Sequence, residues 1–317
     1  MKRNYFFNIT FVALSYLFFK IFKKSLKGTS QAFINIYSLD NGIFKEKLHK
    51  YIGYKRQIFK QRRDVHDLAS DLNKKGYHIF KNNLDKQTVS KLYDLAFNLT
   101  CNDGKNNIKF DPKNLTAVRY NFDKQDLANN KLVQNLIMDS FLIDVVREYF
   151  DSEPIFDMPA MWWSTPYQKS ASSEAAQLYH YDMERAKWLK IFFYLTDVDE
   201  NNGPHYYIKG SHKINSKPKD LLSRGYVRIS DQEMKKYYKA SDFKIIKGVK
   251  GTFFAGDTLC WHKGKNLKKR NRLVLELNYT SSLFGYNLEK MIVKNPTGKF
   301  KSFCFNNPIY SKNFLFE

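Results

Sequence analysis

HYDMERAKWLKIFFYLTDVDENNGPHYYIKGSH, running from His180 to His212, sets an imidazole and a carboxylate two residues apart, follows them with an apolar run and closes on a Gly-Pro turn. Successive side chains of an extended chain point to opposite faces, so His180 and Asp182 project side by side. Two metal-ligand types then converge. A chain with seven histidines produces such a pair by chance often enough that its surroundings must decide its meaning. Those surroundings are β-rich. From Asp151 onward the runs MPAMWWSTP, AAQLYHYD, KWLKIFFYLTDV, HYYIKG, GTFFAGDTLCWHKG and RLVLELNYTS are separated by Gly, Pro and Asn, with no amphipathic helix between them. Short strands so punctuated predict a closed or double-layered antiparallel sheet, a jelly roll or double-stranded β-helix.

Upstream the pattern is helical. Residues 66–75 predict a helix ending near Gly76, Tyr77 to Phe80 a short strand, and Val89, Leu92, Leu95 and Leu99 one face of a second helix. Residues 130–150 repeat the helical spacing. The class is therefore α+β, a barrel with packed N-terminal helices. At 43% hydrophobic and 16% aromatic residues the composition is that of a folded chain. The net charge is +22, and residues 1–65 carry 14 Lys/Arg against 3 Asp/Glu, half of the excess in a fifth of the length. Cys101, Cys260 and Cys304 are too widely spaced for a zinc finger or disulfide framework, which fits a reducing, cytoplasmic compartment.

Three parts are expected. Residues 1–27 are a basic, apolar, membrane-associating segment. From Tyr5 to Phe19 the chain is largely apolar, softened by Asn8, Thr10 and Ser15 and flanked by Lys2, Arg3, Lys20, Lys23, Lys24 and Lys27. That is short of the about 20 residues a spanning helix needs, so an interfacial helix on anionic headgroups is the expectation. A helix packed on its own domain and a removed or spanning signal are the other two readings. Residues 28–65 form a basic connecting region with helical periodicity at Phe33, Ile36, Leu39, Phe44, Leu48 and Ile52, and residues 66–317 the catalytic domain.

An open iron site of the facial type needs a second imidazole beside His180 and Asp182. His262, 82 residues downstream and directly before a strand, is the leading candidate. A cosubstrate carboxylate then wants an arginine, whose planar guanidinium gives two parallel hydrogen bonds. Arg272 opens the strand after His262 and is the natural choice, with Arg270 close enough in register to be its rival. QLYHYD, FYLTDVDENNGPHYYIKGSHK and GDTLCWHKG…RNRLVLELNY, with GYHIFKNNLDKQTVSKLYDL before them, resemble the phytanoyl-CoA dioxygenase-like family of Fe(II)/2-oxoglutarate oxygenases over about residues 66–285. The resemblance implies that His180, Asp182 and His262 hold Fe(II) and that Arg272 anchors the distal carboxylate of 2-oxoglutarate. It also implies that O2 is consumed with release of CO2 and succinate. Asp182 occupies the place where halogenating relatives carry a small residue, so hydroxylation is expected. The lysine-rich loop KGKNLKKR after His262 departs from the family pattern.

Lys190, Tyr194 and Gln177 are the further cosubstrate candidates, with Arg119 as a weaker one. A Lys on an inward face needs an anion, which 2-oxoglutarate or an acidic substrate would supply; a solvent-facing Lys190 is the alternative. His205 and His212 read as turn or loop hydrogen-bonders, His49, His66 and His78 as surface or packing residues, and Trp162, Trp163 and Trp261 as packing or rimming the barrel. The substrate is expected to be a small molecule, anionic or lipid-linked, of lipid, acyl or cell-envelope sugar type, with specificity in residues 100–130, 164–176 and 214–245. Two other functions compete: a metal-free basic barrel binding nucleic acid or anionic lipid, and a cupin-like metalloenzyme without 2-oxoglutarate. Nucleic acid is the less expected partner, because half of the charge lies outside the barrel and no aromatic-basic strand signature appears.

Overall fold

The computed structural model describes residues 4–56 and 63–317, so Lys2 and Arg3 of the expected N-terminal flank and residues 57–62 of the expected connecting region lie outside the described residues. Its architecture is clearest from one strand. Residues Arg272–Thr280 are all buried, yet, Val274 apart, they alternate apolar and polar along RLVLELNYT. Leu273, Leu275, Leu277 and Tyr279 pack outward into the largest core cluster. Arg272, Val274, Glu276, Asn278 and Thr280 therefore face the other way, into the barrel. Period-2 alternation with both faces buried marks a strand that has a hydrophobic layer behind it and a polar chamber before it.

Around it the strands are β1 (Tyr77–Ile79), β2 (Thr100–Asn102), β3 (Asn107–Lys109), β4 (Arg119–Phe122), β5 (Ile155–Ser164), β6 (Trp188–Tyr194), β7 (His205–Ile208), β8 (Phe243–Ile246), β9 (Phe253–Asp257), β10 (His262–Gly264) and β11 (Arg272–Thr280). A large sheet runs β1-β9-β6-β11-β5-β4-β2-β3 and a small one β10-β7-β8. Residues Tyr179 and His180 extend the small sheet through single bridges to Ile229 and His262. The two sheets press face to face where the Tyr207 ring of the small sheet crosses Gly256 of the large one; a Cβ at 256 would stand 2.2 Å from the tyrosine hydroxyl. The expected jelly roll is present.

Helices α1 (Tyr5–Phe22), α2 (Thr29–Asp40), α3 (Ile43–Ile52), α4 (Arg63–Lys75), α5 (Lys86–Asn98), α6 (Lys124–Ala128), α7 (Lys131–Ile137), α8 (Ser140–Phe150) and α9 (Lys219–Ser223) cover the sheets. The α4 helix ends where expected, because Gly76 takes φ +81 and a Cβ there would meet Cys260 Sγ at 2.2 Å. The α5 helix starts on Asp85, whose side chain accepts from the Thr88 amide at 2.8 Å. Residues 28–56 are not a loose connection. They form α2 and α3, which pack with α1 against a second core of Val12, Phe33, Ile36, Tyr37, Tyr181 and Trp261. Lys217 ties this layer down: its buried ammonium donates to the carbonyls of Ser211 and Leu259 and sits among the rings of Tyr37, Tyr181 and Trp261.

Candidate active site

His180 and Asp182 face the chamber while Tyr179, Tyr181 and Met183 between and beside them face the helical layer, the alternation an extended segment imposes. The backbones of His180 and His262 pair through two hydrogen bonds of 3.0 and 2.9 Å, which brings their rings to 4.3 Å between centroids. Asp182 Oδ1 lies 3.8 Å from His180 Nε2, and Oδ2 lies 3.9 Å from His262 Nε2. One donor atom from each of the three falls within 4.8 Å of the others. Both rings have their other nitrogen occupied: His180 Nδ1 donates to Leu178 O at 2.9 Å and His262 Nδ1 to Cys260 O at 3.0 Å. The Nε2 lone pairs are thereby aimed at the carboxylate.

Electrostatics suit a cation. Burial, then the charge of His262, keeps His180 well below its ordinary range, and burial lowers His262 as well, so both imidazoles present unprotonated nitrogens. Burial opposes ionisation of Asp182, but Lys190, His262 and His180 together hold its carboxyl far below the usual carboxylate range. Lys190 Nζ is 3.0 Å from Asp182 Oδ2 and 3.6 Å from Glu276 Oε1, and it lies over the Trp188 ring at 4.4 Å. The inward lysine thus finds its anions within the protein, at the donor set itself.

Arg272 is in the same chamber. Its Nη2 approaches the place where a Gly264 Cβ would stand, at 3.4 Å, and Gly264 is two residues beyond His262 on β10. Nη2 donates to Ser164 Oγ at 3.1 Å, while Nε and Nη1 are buried with no partner. Burial pushes this guanidinium down to about 10, with Tyr194 opposing and the Arg119 charge adding. Arg119 stacks on the Trp162 ring at 4.2 Å and is likewise pushed down to about 10 by burial. Arg270, in contrast, points outward and pairs with Asp199. Buried N–H groups without acceptors are costly, and a planar carboxylate is the group whose geometry meets a guanidinium edge.

The other expected residues are placed differently. The Tyr194 hydroxyl donates to Ile246 O at 2.9 Å and meets His205 Nδ1 at 2.9 Å, so it braces His205. Gln177 is buried and its Oε1 accepts from the Ser172 amide at 2.8 Å, which closes the loop before His180. His205 is not in a turn: it begins β7, faces the chamber opposite Gly264, and burial with the Arg272 charge keeps it well below its ordinary range. Glu276 and His205 are the chamber residues the sequence reading passed over. A signal existed for both, since Glu276 shares Arg272's parity on one strand and His205 shares Tyr207's on another.

A jelly roll holding two imidazoles, one carboxylate and a buried, under-partnered arginine has the donor set of an open iron centre and the residues to bind an acidic cosubstrate. The chain belongs to the phytanoyl-CoA dioxygenase family: the model described as Phytanoyl-CoA dioxygenase (PhyH) matches residues 72–269. It is an Fe(II)- and 2-oxoglutarate-dependent oxygenase, with O2 as the second cosubstrate. Among solved structures it is similar to HygX from Streptomyces hygroscopicus with nickel and 2-oxoglutarate bound, at 14% identity and a TM-score of 0.52 over 76% of this chain and 94% of that one. HygX with nickel, 2-oxoglutarate and hygromycin B bound gives 12% and 0.51 over the same shares. EctD from S. alaskensis with 2-oxoglutarate and 5-hydroxyectoine gives 16% and 0.49 over 72% and 82%. At these identities the likeness is one of fold. No curated protein matches the chain significantly.

Proposed function

We propose that the chain is a hydroxylase in which His180, Asp182 and His262 hold Fe(II), and Arg272 anchors the distal carboxylate of 2-oxoglutarate. The observation that carries this is the meeting of three metal-ligand atoms within 4.8 Å of one another with two partnerless guanidinium N–H groups in one chamber. Bound there, Fe(II) and 2-oxoglutarate supply O2 activation, with loss of CO2, formation of succinate and transfer of one oxygen atom to a C–H bond. The chain's own residues prepare that chemistry. Cys260 O and Leu178 O fix the imidazole tautomers. Lys190 orients Asp182 and holds its negative charge, and Glu276 balances Lys190 in turn. Arg272 sets the direction of the cosubstrate by a bidentate grip, with Ser164 bracing the guanidinium. Phe192, Phe254 and Trp162 line the chamber and keep it dry, which strengthens each charge interaction inside.

The substrate is a small molecule of lipid, acyl or cell-envelope sugar type, and the enzyme works in the cytoplasm at a membrane surface reached through residues 1–27. Three buried, unpaired cysteines support a reducing compartment. The test is to incubate the pure protein, Fe(II), 2-oxoglutarate and O2 with fractionated membrane and soluble extracts. The expected result is succinate formation coupled to a product one oxygen atom heavier, concentrated in the lipid fraction. Succinate coupled only to a water-soluble product would redirect the substrate class, and no succinate from folded, iron-loaded protein would refute the oxygenase assignment of these residues.

A further inference from the structure

The α1 helix is built inside out. Its buried residues are Asn8, Val12 and Ser15, and the two polar ones are satisfied: the Asn35 amide donates to Asn8 Oδ1 at 3.1 Å, Ser15 Oγ meets Thr29 Oγ1 at 2.6 Å and accepts from the Leu26 amide at 2.9 Å. Tyr16 and Phe19 close the packed side against Phe284. Phe6, Phe7, Leu14, Leu17, Ile21 and Phe22 look outward, with Phe6 79%, Leu17 59% and Ile21 72% exposed against 1% for Val12. Phe7, Leu14 and Ile21, with Phe6 and Leu17 beside them and Thr10 the one polar position among them, stack along one face at helical spacing. A contiguous apolar stripe on the outside of a protein needs a cover. Lys20, Lys23 and Lys24, exposed at its C-terminal end, and Lys27 just beyond supply a basic border.

We propose that α1 is an in-plane anchor for an anionic bilayer: the outward stripe sinks into the acyl boundary, the lysines meet lipid phosphates, and the inward face stays docked on α2. This deepens the membrane-surface reading above and rests on it. Charge complementarity selects the occupant, since an apolar stripe bordered by lysines matches acyl chains beneath anionic headgroups. The inward contacts select the orientation. A spanning helix would have to abandon Asn35, Thr29 and the Phe284 packing, and would carry Asn8 and Ser15 bare into hydrocarbon, where each unsatisfied group is costly. At 18 residues, about 27 Å, the helix is long and apolar enough to cross a membrane by length and composition, so the inward contacts and not the length decide its orientation. The layer it belongs to also backs the strand bearing His180 and Asp182, which sets the chamber one layer from the lipid.

The experiment is flotation of the full-length protein with vesicles of phosphatidylcholine alone and of phosphatidylcholine with phosphatidylserine. Binding is expected to the anionic vesicles, weakening as salt rises. The double variant L14D/L17D should lose at least about tenfold in binding, with its thermal midpoint unchanged because both positions are exposed. The variant K20Q/K23Q/K24Q should lose about fivefold per charge at low salt and flatten the salt dependence. Alkaline carbonate should release the bound protein. Retention after carbonate would overturn the in-plane orientation; equal binding by L14D/L17D, or a dimer dispersed by L14D/L17D with no vesicle binding, would overturn the anchor. The visible charge-transfer absorption of 2-oxoglutarate on Fe(II), read without vesicles, separates the two readings. Its persistence in a wild type that ignores vesicles refutes the anchor alone, and its absence in a wild type that floats refutes the oxygenase reading alone.

Discussion

Strand β11 and helix α1 both break the rule that polar residues face water, and they break it for opposite reasons. On β11 the polar side chains Arg272, Glu276 and Asn278 turn inward, and the arginine keeps two N–H groups without acceptors. On α1 the inward polar side chains Asn8 and Ser15 are fully engaged, and what lacks a partner is the apolar stripe outside. The first leaves an unmet hydrogen-bonding and charge requirement, the second an unmet hydrophobic one. On the two proposals made above, the shortfall on β11 calls for an acid and that on α1 for a lipid.

Removing the donor set that β11 faces should cost the most. His262→Ala or Asp182→Ala should abolish stoichiometric iron binding and reduce succinate formation by more than the about 100-fold that loss of an outer contact costs; metal analysis and a succinate assay check both. Arg272→Ala should raise the KM for 2-oxoglutarate by about a hundredfold, the cost of removing one partner from a buried charge pair, with iron binding retained. Replacing Lys190 with Met or Glu276 with Gln should weaken iron affinity or turnover by about tenfold, because Lys190 holds Asp182 in place and Glu276 holds Lys190, neither being a metal ligand. Competitive iron binding against a chelator measures this.

A pH experiment sharpens the contrast from the side of stability. His49 donates from Nε2 to Phe150 O and takes Ser281 Oγ at Nδ1, and burial pushes it down to about 4; burial does the same to His212. A histidine with a depressed folded pKa stabilises fully above its unfolded value near 6.5 and loses that contribution as pH falls from there toward 4. The thermal midpoint of the metal-free protein should therefore fall through this window, and His49→Gln should make the decline shallower. The smallest effect belongs to Arg270. It is exposed and paired only with Asp199, so Arg270→Ala should leave the KM for 2-oxoglutarate within about twofold of the wild type.

Much of the site was legible because strand parity is a local property. His180 with Asp182, and His262 before the RLVLELNYT strand, could be picked from alternation and from resemblance. What escaped needed tertiary information. His205 follows Gly203 and Pro204 and reads as part of their turn, although its strand begins there. Glu276 is a single acid within an apolar run, and only its ion pair with Lys190 on the neighbouring strand explains it. Lys190 could be placed on an inward face, but its partners Asp182 and Glu276 come from elsewhere in the chain. In α1 apolar residues occupy nearly the whole circumference, so the sequence offers a weak preference for either face; the choice is made by Asn35 and Thr29 on the next helix. The periodicity at Phe33, Ile36 and Ile52 was visible, while the destination of that face, the core against Tyr181 and Trp261, was not.

Whether these four residues gather iron and cosubstrate is read by anaerobic titration of the folded protein with Fe(II) and 2-oxoglutarate, followed by visible absorption. A weak charge-transfer band is expected that saturates at one iron and one 2-oxoglutarate per chain, vanishes in His262→Ala and requires far more 2-oxoglutarate in Arg272→Ala. A band unchanged by both substitutions, or no band from folded wild-type protein, would contradict this assignment.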